Sequence, residues 1–183
     1  AVIVDDGRAG LAYADVSTGE LAATEMAGSD VSLSLAQEIA RLQPAECLVV
    51  AAKDGQPAEP PIPALPSLAT HFTAYESWHF SFDVAQRALL EHFQVATLDG
   101  YGLQGMPLAT RAAGALLQYV GETQRSALAQ MTQIAAYSTS SFMVLDAATR
   151  RNLELTQSTR TGSVKGSLLG VLDLTHTPMG GRL

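Results

Sequence analysis

The stretch Leu33-Ser34-Leu35-Ala36-Gln37-Glu38-Ile39-Ala40-Arg41-Leu42-Gln43-Pro44-Ala45-Glu46-Cys47-Leu48-Val49-Val50-Ala51-Ala52 decides the fold class. Its first half repeats Leu33, Leu35, Ala36, Ile39, Ala40 and Leu42 at helical spacing, with Asp30 or Ser32 available as the cap. Pro44 ends the helix, because it has no amide hydrogen and its ring clashes with the preceding turn. Ala45 to Ala52 is then a short, nearly continuous apolar run, the pattern of a strand covered on both faces. Cys47 lies inside that run and reads as core. Upstream, Val2 to Val4, Leu11 to Val16 and Glu20 to Glu25 are three short strands separated by the turn formers Asp6-Gly7 and Ser17-Thr18-Gly19. A strand meander followed by a helix that feeds a buried strand is an α/β arrangement.

Downstream, Pro57, Pro60, Pro61, Pro63 and Pro66 crowd residues 55–66, too many for a regular ladder, so this is a surface loop. His71 to Tyr75 is a short strand. Asp83 caps a helix to about Phe93, with Ala85, Ala88, Leu89 and Phe93 inward and Gln86, Arg87 and Glu91 outward. Gln94 to Leu98 is a weak strand. Pro107 opens the longest helix, to about Arg125, in which Gly114 and Gly121 are unfavourable. Gln133 to Ser138 and Phe142 to Leu145 look extended. Asp146 caps a helix over Ala147 to Leu155, Thr156 to Gly166 is loop, and Ser167 to Leu174 is helical. Thr177-Pro178 is a further helix start with only Met179 to Leu183 after it, so the chain is expected to be a fragment.

The 183 residues amount to about one domain and a fraction. With 47% hydrophobic and 16% charged residues there is material for a core, which excludes general disorder. The net charge of −7 disfavours a free-standing, charge-driven nucleic-acid binder. That charge is unevenly spread: residues 1–124 carry 5 Lys/Arg against 15 Asp/Glu, and residues 125–183 carry 6 against 3. No apolar run reaches the ~18 residues of a membrane span. A single cysteine excludes an internal disulfide framework and fits a reducing, cytoplasmic setting.

Several constellations invite chemistry. Gly100-Tyr101-Gly102-Leu103-Gln104-Gly105 fits G-x-G-x-x-G but lacks the strand before and the helix start after that a dinucleotide site requires, so it reads as a loop needing small residues. Lys165-Gly166-Ser167 has the wrong order for a phosphate loop. Asp5, Asp6 and Asp15, with Glu38, are the set a metal-dependent nuclease would use; as hairpin residues they read more simply as solvated turn carboxylates. His71, His79, His92 and His176 have no metal-ligand spacing. Trp78, Phe80 and Phe82 form an aromatic cluster that reads as packing. Arg150 and Arg151 could meet phosphate in a DNA-binding role; ion pairs with Glu154 are the plainer expectation.

Phe142-Met143-Val144-Leu145-Asp146-Ala147-Ala148-Thr149-Arg150-Arg151-Asn152-Leu153-Glu154-Leu155 resembles the start of the core domain of the MutS family of DNA mismatch-repair proteins. Ser167 to Asp173 and Thr175-His176-Thr177-Pro178-Met179-Gly180-Gly181-Arg182-Leu183 resemble that family's next segment. Gly100-Tyr101-Gly102, Ala113 to Gln118 with Tyr119, Thr123-Gln124-Arg125 and the opening hairpin resemble it too, so the likeness covers essentially the whole chain.

The resemblance implies a ribonuclease H-like α/β connector domain over 1–125, a mixed sheet with flanking helices, followed over 126–183 by the truncated start of a mainly helical core, or lever, domain. It implies a non-catalytic piece of a mismatched-DNA-binding ATPase that relays nucleotide and DNA state and helps dock MutL. The mismatch wedge, the Walker A loop and the clamp segments are missing from this sequence, so ATP and Mg would be cofactors of the parent protein alone. Implied partners are MutL, other MutS domains, a second MutS subunit and, through the parent, mismatched duplex DNA. Family precedent places partner contact on the helix from Asp83, with Gln86 and Arg87 as candidates. Asp146, Thr149, Asn152, Leu153 and Glu154 are implied to be structural: Asp146 starting the helix, Leu153 packing, Asn152 and Glu154 binding neighbouring backbone or arginine groups. The competing reading from a different class is a nuclease using Asp5, Asp6 or Asp15.

Overall fold

A computed structural model describes residues 1–52, 70–139, 145, 147–177 and 180. The chain divides into two compact units, Ala1–Thr139 and Ser140–Leu183. The proline-rich loop, Phe142 to Val144, Asp146 and Pro178 lie outside the described residues.

The meander forms as expected: β1 (Val2–Asp5), β2 (Arg8–Asp15) and β3 (Glu20–Ala27) pair antiparallel. Asp6 and Gly7 both take positive φ, which lets two residues reverse the chain. β6 (Ala135–Ala136) adds to β3 in parallel, making a mixed four-stranded sheet in the order β1-β2-β3-β6. The extended segment expected from Gln133 to Ser138 thus pairs through only two residues. β4 (Glu46–Val50) and β5 (His71–Tyr75) form a separate parallel pair, and β4 packs beside β1.

Alternation along the strands feeds two cores. Ile3, Ala12, Leu21, Ala23 and Leu48 point to one side; Val2, Ala9, Leu11, Met26 and Cys47 point to the other. The second side is covered by α1 (Val31–Leu42) through Val31, Leu35 and Ile39. Gln43 turns left-handed after α1, and Pro44 follows it. The strand after it is buried on both faces, Cys47 in one core and Leu48 in the other.

The first side is covered by α3 (Pro107–Thr123). Its buried surface is broad rather than a single stripe. Ala109, Thr110, Ala113, Gly114 and Leu117 are buried as well as Leu108, Ala112, Ala115 and Val120, because α2 (Phe82–Phe93) packs on its outer side. The helix expected to run to Arg125 breaks at Gln124, and a single turn, α4 (Arg125–Leu128), follows. No strand forms over Gln94 to Leu98; that segment is a turn leading to a 3-10 turn at Asp99–Tyr101. Two glycines permit close approach. A Cβ on Gly10 of β2 would fall 2.2 Å from the Leu108 carbonyl, and one on Gly114 would fall 2.4 Å from Ala85.

In the second unit, α5 (Ala147–Asn152) is shorter than the expected Ala147 to Leu155, and α6 (Leu168–Leu172) is shorter than Ser167 to Leu174. Glu154 takes positive φ, which ends the first of these. The Ser167 hydroxyl accepts from the Gly170 N–H at 3.1 Å and caps the second. The amides of Leu168 and Leu169 donate to the carbonyls of Glu154 and Leu155, tying the two helices into one unit. Among the described residues no helix is long and apolar enough to cross a membrane.

Candidate functional site

α2 begins one residue before Asp83: Ser81 is the N-cap and makes no side-chain cap bond, while Asp83 sits in the first turn, where its charge suits the helix dipole. Ala85 and Leu89 are buried, and Ala88 and Phe93 are partly buried. Arg87 is exposed and Gln86 half-buried, so the helix shows Arg87 to solvent more fully than Gln86. Gln86 also lines a groove of about 370 Å³ with Phe82, Leu98, Leu103, Met106 and Thr110. The glycine-rich loop forms one wall of this groove. Gly102 and Gly105 both adopt positive φ, and Leu103 between them is buried, so these glycines shape a tight turn ahead of α3.

The segment before α2 is a 3-10 turn, Ser77–Phe80. Here the expected aromatic cluster resolves differently. Phe80 is core, whereas Trp78 and Phe82 are exposed and Trp78 stacks on His79 instead. His79 is buried, and its Nδ1 lies 2.8 Å from the Gln118 side-chain oxygen, so that nitrogen carries the hydrogen. His92 bonds the Met131 carbonyl at 2.7 Å. These two histidines tie helices to their neighbours, a role no spacing rule reveals.

The carboxylates of the nuclease reading are not brought together. Asp5 pairs with Arg111 at 3.2 Å, and Arg111 also donates to the Phe80 carbonyl at 2.6 Å. Asp6 is a turn residue with positive φ. Asp15 accepts from the Ser17 amide and hydroxyl. Glu38 is on α1, bound to Arg41 and to the Tyr137 hydroxyl. Among the described residues no three His, Cys, Asp or Glu side chains are grouped to hold a metal ion. Burial raises the Cys47 thiol pKa, as for an inert core thiol.

A carboxylate that sequence reading missed has a larger role. Glu25 on β3 accepts from the amides of Leu108 and Ala109 at 2.8 and 3.2 Å, and it pairs with Arg8. It caps α3 from across the domain, and no local pattern announces such a partner.

In the second unit, the Glu154 carboxylate accepts from the Thr159 hydroxyl and amide, both at 2.6 Å, rather than pairing with Arg150 or Arg151. The Thr159 hydroxyl, then its amide, hold the Glu154 carboxyl below its usual pKa. The Thr149 carbonyl accepts from the Leu153 amide at 2.9 Å, Asn152 is exposed, and Leu153 is 56% exposed rather than packed. Asp146 lies outside the described residues.

The architecture is that of a small mixed α/β domain followed by a second compact unit that holds two short helices. The family model of MutS domain II matches residues 1–134 and that of MutS domain III matches residues 148–183, and the chain belongs to the MutS family. It is 44% identical over 191 aligned residues to the DNA mismatch repair protein MutS of Synechococcus elongatus, covering 100% of this chain and 21% of that protein. It is 45% identical to that of Symbiobacterium thermophilum, over 95% of this chain and 20% of the relative. With that of Dehalococcoides mccartyi the figures are 44%, 95% and 19%. The chain thus spans about a fifth of the length of these relatives.

Proposed function

We propose that this chain is the connector and opening core segment of a mismatched-DNA-binding ATPase, and that its own role is non-catalytic: relaying nucleotide and DNA state between domains and docking MutL. The observation that carries this reading is the succession of two MutS domain matches on one chain. We place the connector at 1–125 and the core from 126, with α4 and β6 as the hand-over segment packed within the first compact unit. A ribonuclease H-like topology is supported by the β3-β2-β1 order, β4 beside β1, β5 parallel to β4, and helices on both faces. The engagement of Asp5, Asp15 and Glu38 in ion pairs and turns supports coupling over cleavage.

The MutL contact is assigned to Gln86 and Arg87 on α2, and Arg87 is free to meet an acidic partner. Exposed Val171, Leu172 and Leu174 after the Ser167 cap support packing of the second unit against other MutS domains or a second MutS subunit. ATP and Mg belong to the parent protein, whose setting is cytoplasmic. The test is binding of purified MutL to the immobilised chain. Replacing Gln86 and Arg87 together by glutamate should weaken capture about tenfold or more; capture that survives this charge reversal overturns the assignment.

A further inference from the structure

Between the two short helices of the second unit, Ser158 to Gly166 folds into a closed loop. The Ser158 amide donates to the Ser163 carbonyl at 2.9 Å, and the Gly162 amide donates to the Ser158 carbonyl at 2.8 Å. Gly162 and Gly166 turn the chain at φ 65° and 94°, angles that L side chains rarely adopt. The Ser167 hydroxyl anchors the far end on the Val164 carbonyl at 2.7 Å. The loop walls an open cavity of about 580 Å³, lined by Arg160, Lys165 and the hydroxyl residues Ser158, Thr161 and Ser163. The ion pairs among the described residues, Arg8–Glu25, Arg41–Glu38 and Arg111–Asp5, all lie in the first unit, so neither Arg160 nor Lys165 is paired with a described carboxylate. Glu154 is the one carboxylate among the described lining residues. Its Oε1 is taken by the Thr159 amide and hydroxyl, both at 2.6 Å, and by the Ser158 hydroxyl at 3.4 Å. The Thr161 and Ser163 hydroxyls share a bond of 2.9 Å, and Ser163 reaches the Lys165 carbonyl only at 3.4 Å. That last bond is long, so the Ser163 hydroxyl turns to a better acceptor at little cost.

A guanidinium, an ammonium and hydroxyl donors on one cavity wall suit an anion with several acceptor oxygens. Phosphate supplies them, and an arginine fork grips two of its oxygens at once while a lysine serves as a point charge. The cavity has no aromatic or large apolar lining residue among those described, so a base has nothing to stack on. That excludes a free nucleotide held by its base and a single strand held by stacking, and leaves a phosphate presented from a duplex backbone. The charge of the unit agrees. Residues 140–183 carry 5 Lys/Arg against 3 Asp/Glu, whereas residues 1–139 carry 6 against 15. We propose that this loop is a phosphate cradle in which Arg160 and Lys165, helped by Thr161 and Ser163, hold a backbone phosphate of duplex DNA. The cradle shares no residue with the Gln86 and Arg87 surface and stands whether or not MutL binds there.

The test follows the amide resonances of the whole chain during titration. A short duplex DNA should move the signals of residues 158–166 saturably. Inorganic phosphate should move the same signals, at roughly tenfold higher concentration or more. ATP should do no better than inorganic triphosphate, because its base finds no platform. Arg160→Gln and Lys165→Gln should each weaken duplex binding about fivefold and equally for different sequences, with a salt slope shallower by up to about one. Retained exchange protection of the Ser158 and Gly162 amides shows the loop of each variant folded. Arg125→Gln, exposed on the first unit, should leave duplex binding unchanged. No saturable shift at residues 158–166, duplex binding untouched by both glutamine variants, or ATP bound more tightly than both triphosphate and duplex overturns the proposal.

Discussion

Gly114 of α3 meets Ala85 of α2 with no room for a methyl group, since a Cβ there would sit 2.4 Å from both the Cα and the carbonyl oxygen of Ala85. This contact seats α2 and thereby sets where its neighbours Gln86 and Arg87 emerge. Replacing Gly114 by alanine gains about 1 kcal/mol of helix propensity. Against that, the atoms it strikes are backbone and cannot swing away, and overpacking costs up to ~3 kcal/mol or more. The net expectation is a loss of about 2 kcal/mol, a melting temperature lower by roughly 4–8 °C on calorimetry. An unchanged melting temperature would show that α2 shifts freely.

Glu25 joins the sheet to the start of α3 across 83 residues of sequence. Its side chain is nearly buried, so Glu25→Ala leaves two amides of the first helical turn without their acceptor and Arg8 without its partner. A loss of about 2–3 kcal/mol in urea unfolding is expected, with faster amide exchange at Leu108 and Ala109. Glu25→Gln keeps an acceptor and loses the charge, so about 1 kcal/mol is expected there.

The contrast between these two positions shows how far the sequence was legible. Leu35, Ile39, Cys47 and Leu48 announced their elements because burial imposes a period on contiguous residues. Gly114 was visible yet misread: taken alone it weakens a helix, and only the opposing Ala85 shows why it belongs there. Glu25 was invisible, because a strand carboxylate has no local signature for an amide so far away in sequence. The same limit explains the weak strand expected at Gln94 to Leu98, where the αL turn at Gln94 and the bond from the Val95 amide to Leu90 override β propensity. At the candidate docking helix, the outward face of Arg87 was readable from periodicity. The groove beside Gln86 was not, since Leu103, Met106 and Thr110 reach it only through the fold.

Alkaline pH should unfold the first unit through its tyrosines. Burial, then the bond to Glu20, raises Tyr13 from the ordinary 10.0 to about 12. Burial first and a neighbouring glutamate second also raise Tyr75, Tyr119 and Tyr137, with Glu122, Glu46 and Glu38 as the respective neighbours. Each phenol ionises more readily in the unfolded chain. Their contribution to stability is therefore complete below about pH 10 and falls away as pH rises through the folded-state values. Absorbance at 295 nm and far-ultraviolet dichroism should thus change together, above about pH 11. Ionisation of these tyrosines near pH 10 with the dichroism intact would contradict the burial of these phenols beside their glutamates.

The segment that closes the first unit is held by one of those phenols. Tyr137 donates its hydroxyl to Glu38 at 2.8 Å, sets its ring edge-on to Tyr13 at 5.9 Å, and donates its amide to the Ala23 carbonyl at 3.0 Å. Glu38 is 8% exposed and is also bound by Arg41 through both carboxylate oxygens. Tyr137→Phe keeps the ring and leaves Glu38 with its arginine, so about 1 kcal/mol should be lost. Glu38→Leu removes the acceptor of both partners and should cost about 2–3 kcal/mol, with faster exchange of the Tyr137 amide. The double variant should cost less than the sum, because once Glu38 is gone Tyr137→Phe removes only a hydroxyl that has already lost its acceptor. Full additivity in urea unfolding would show that the bond contributes nothing to holding β6 on the sheet.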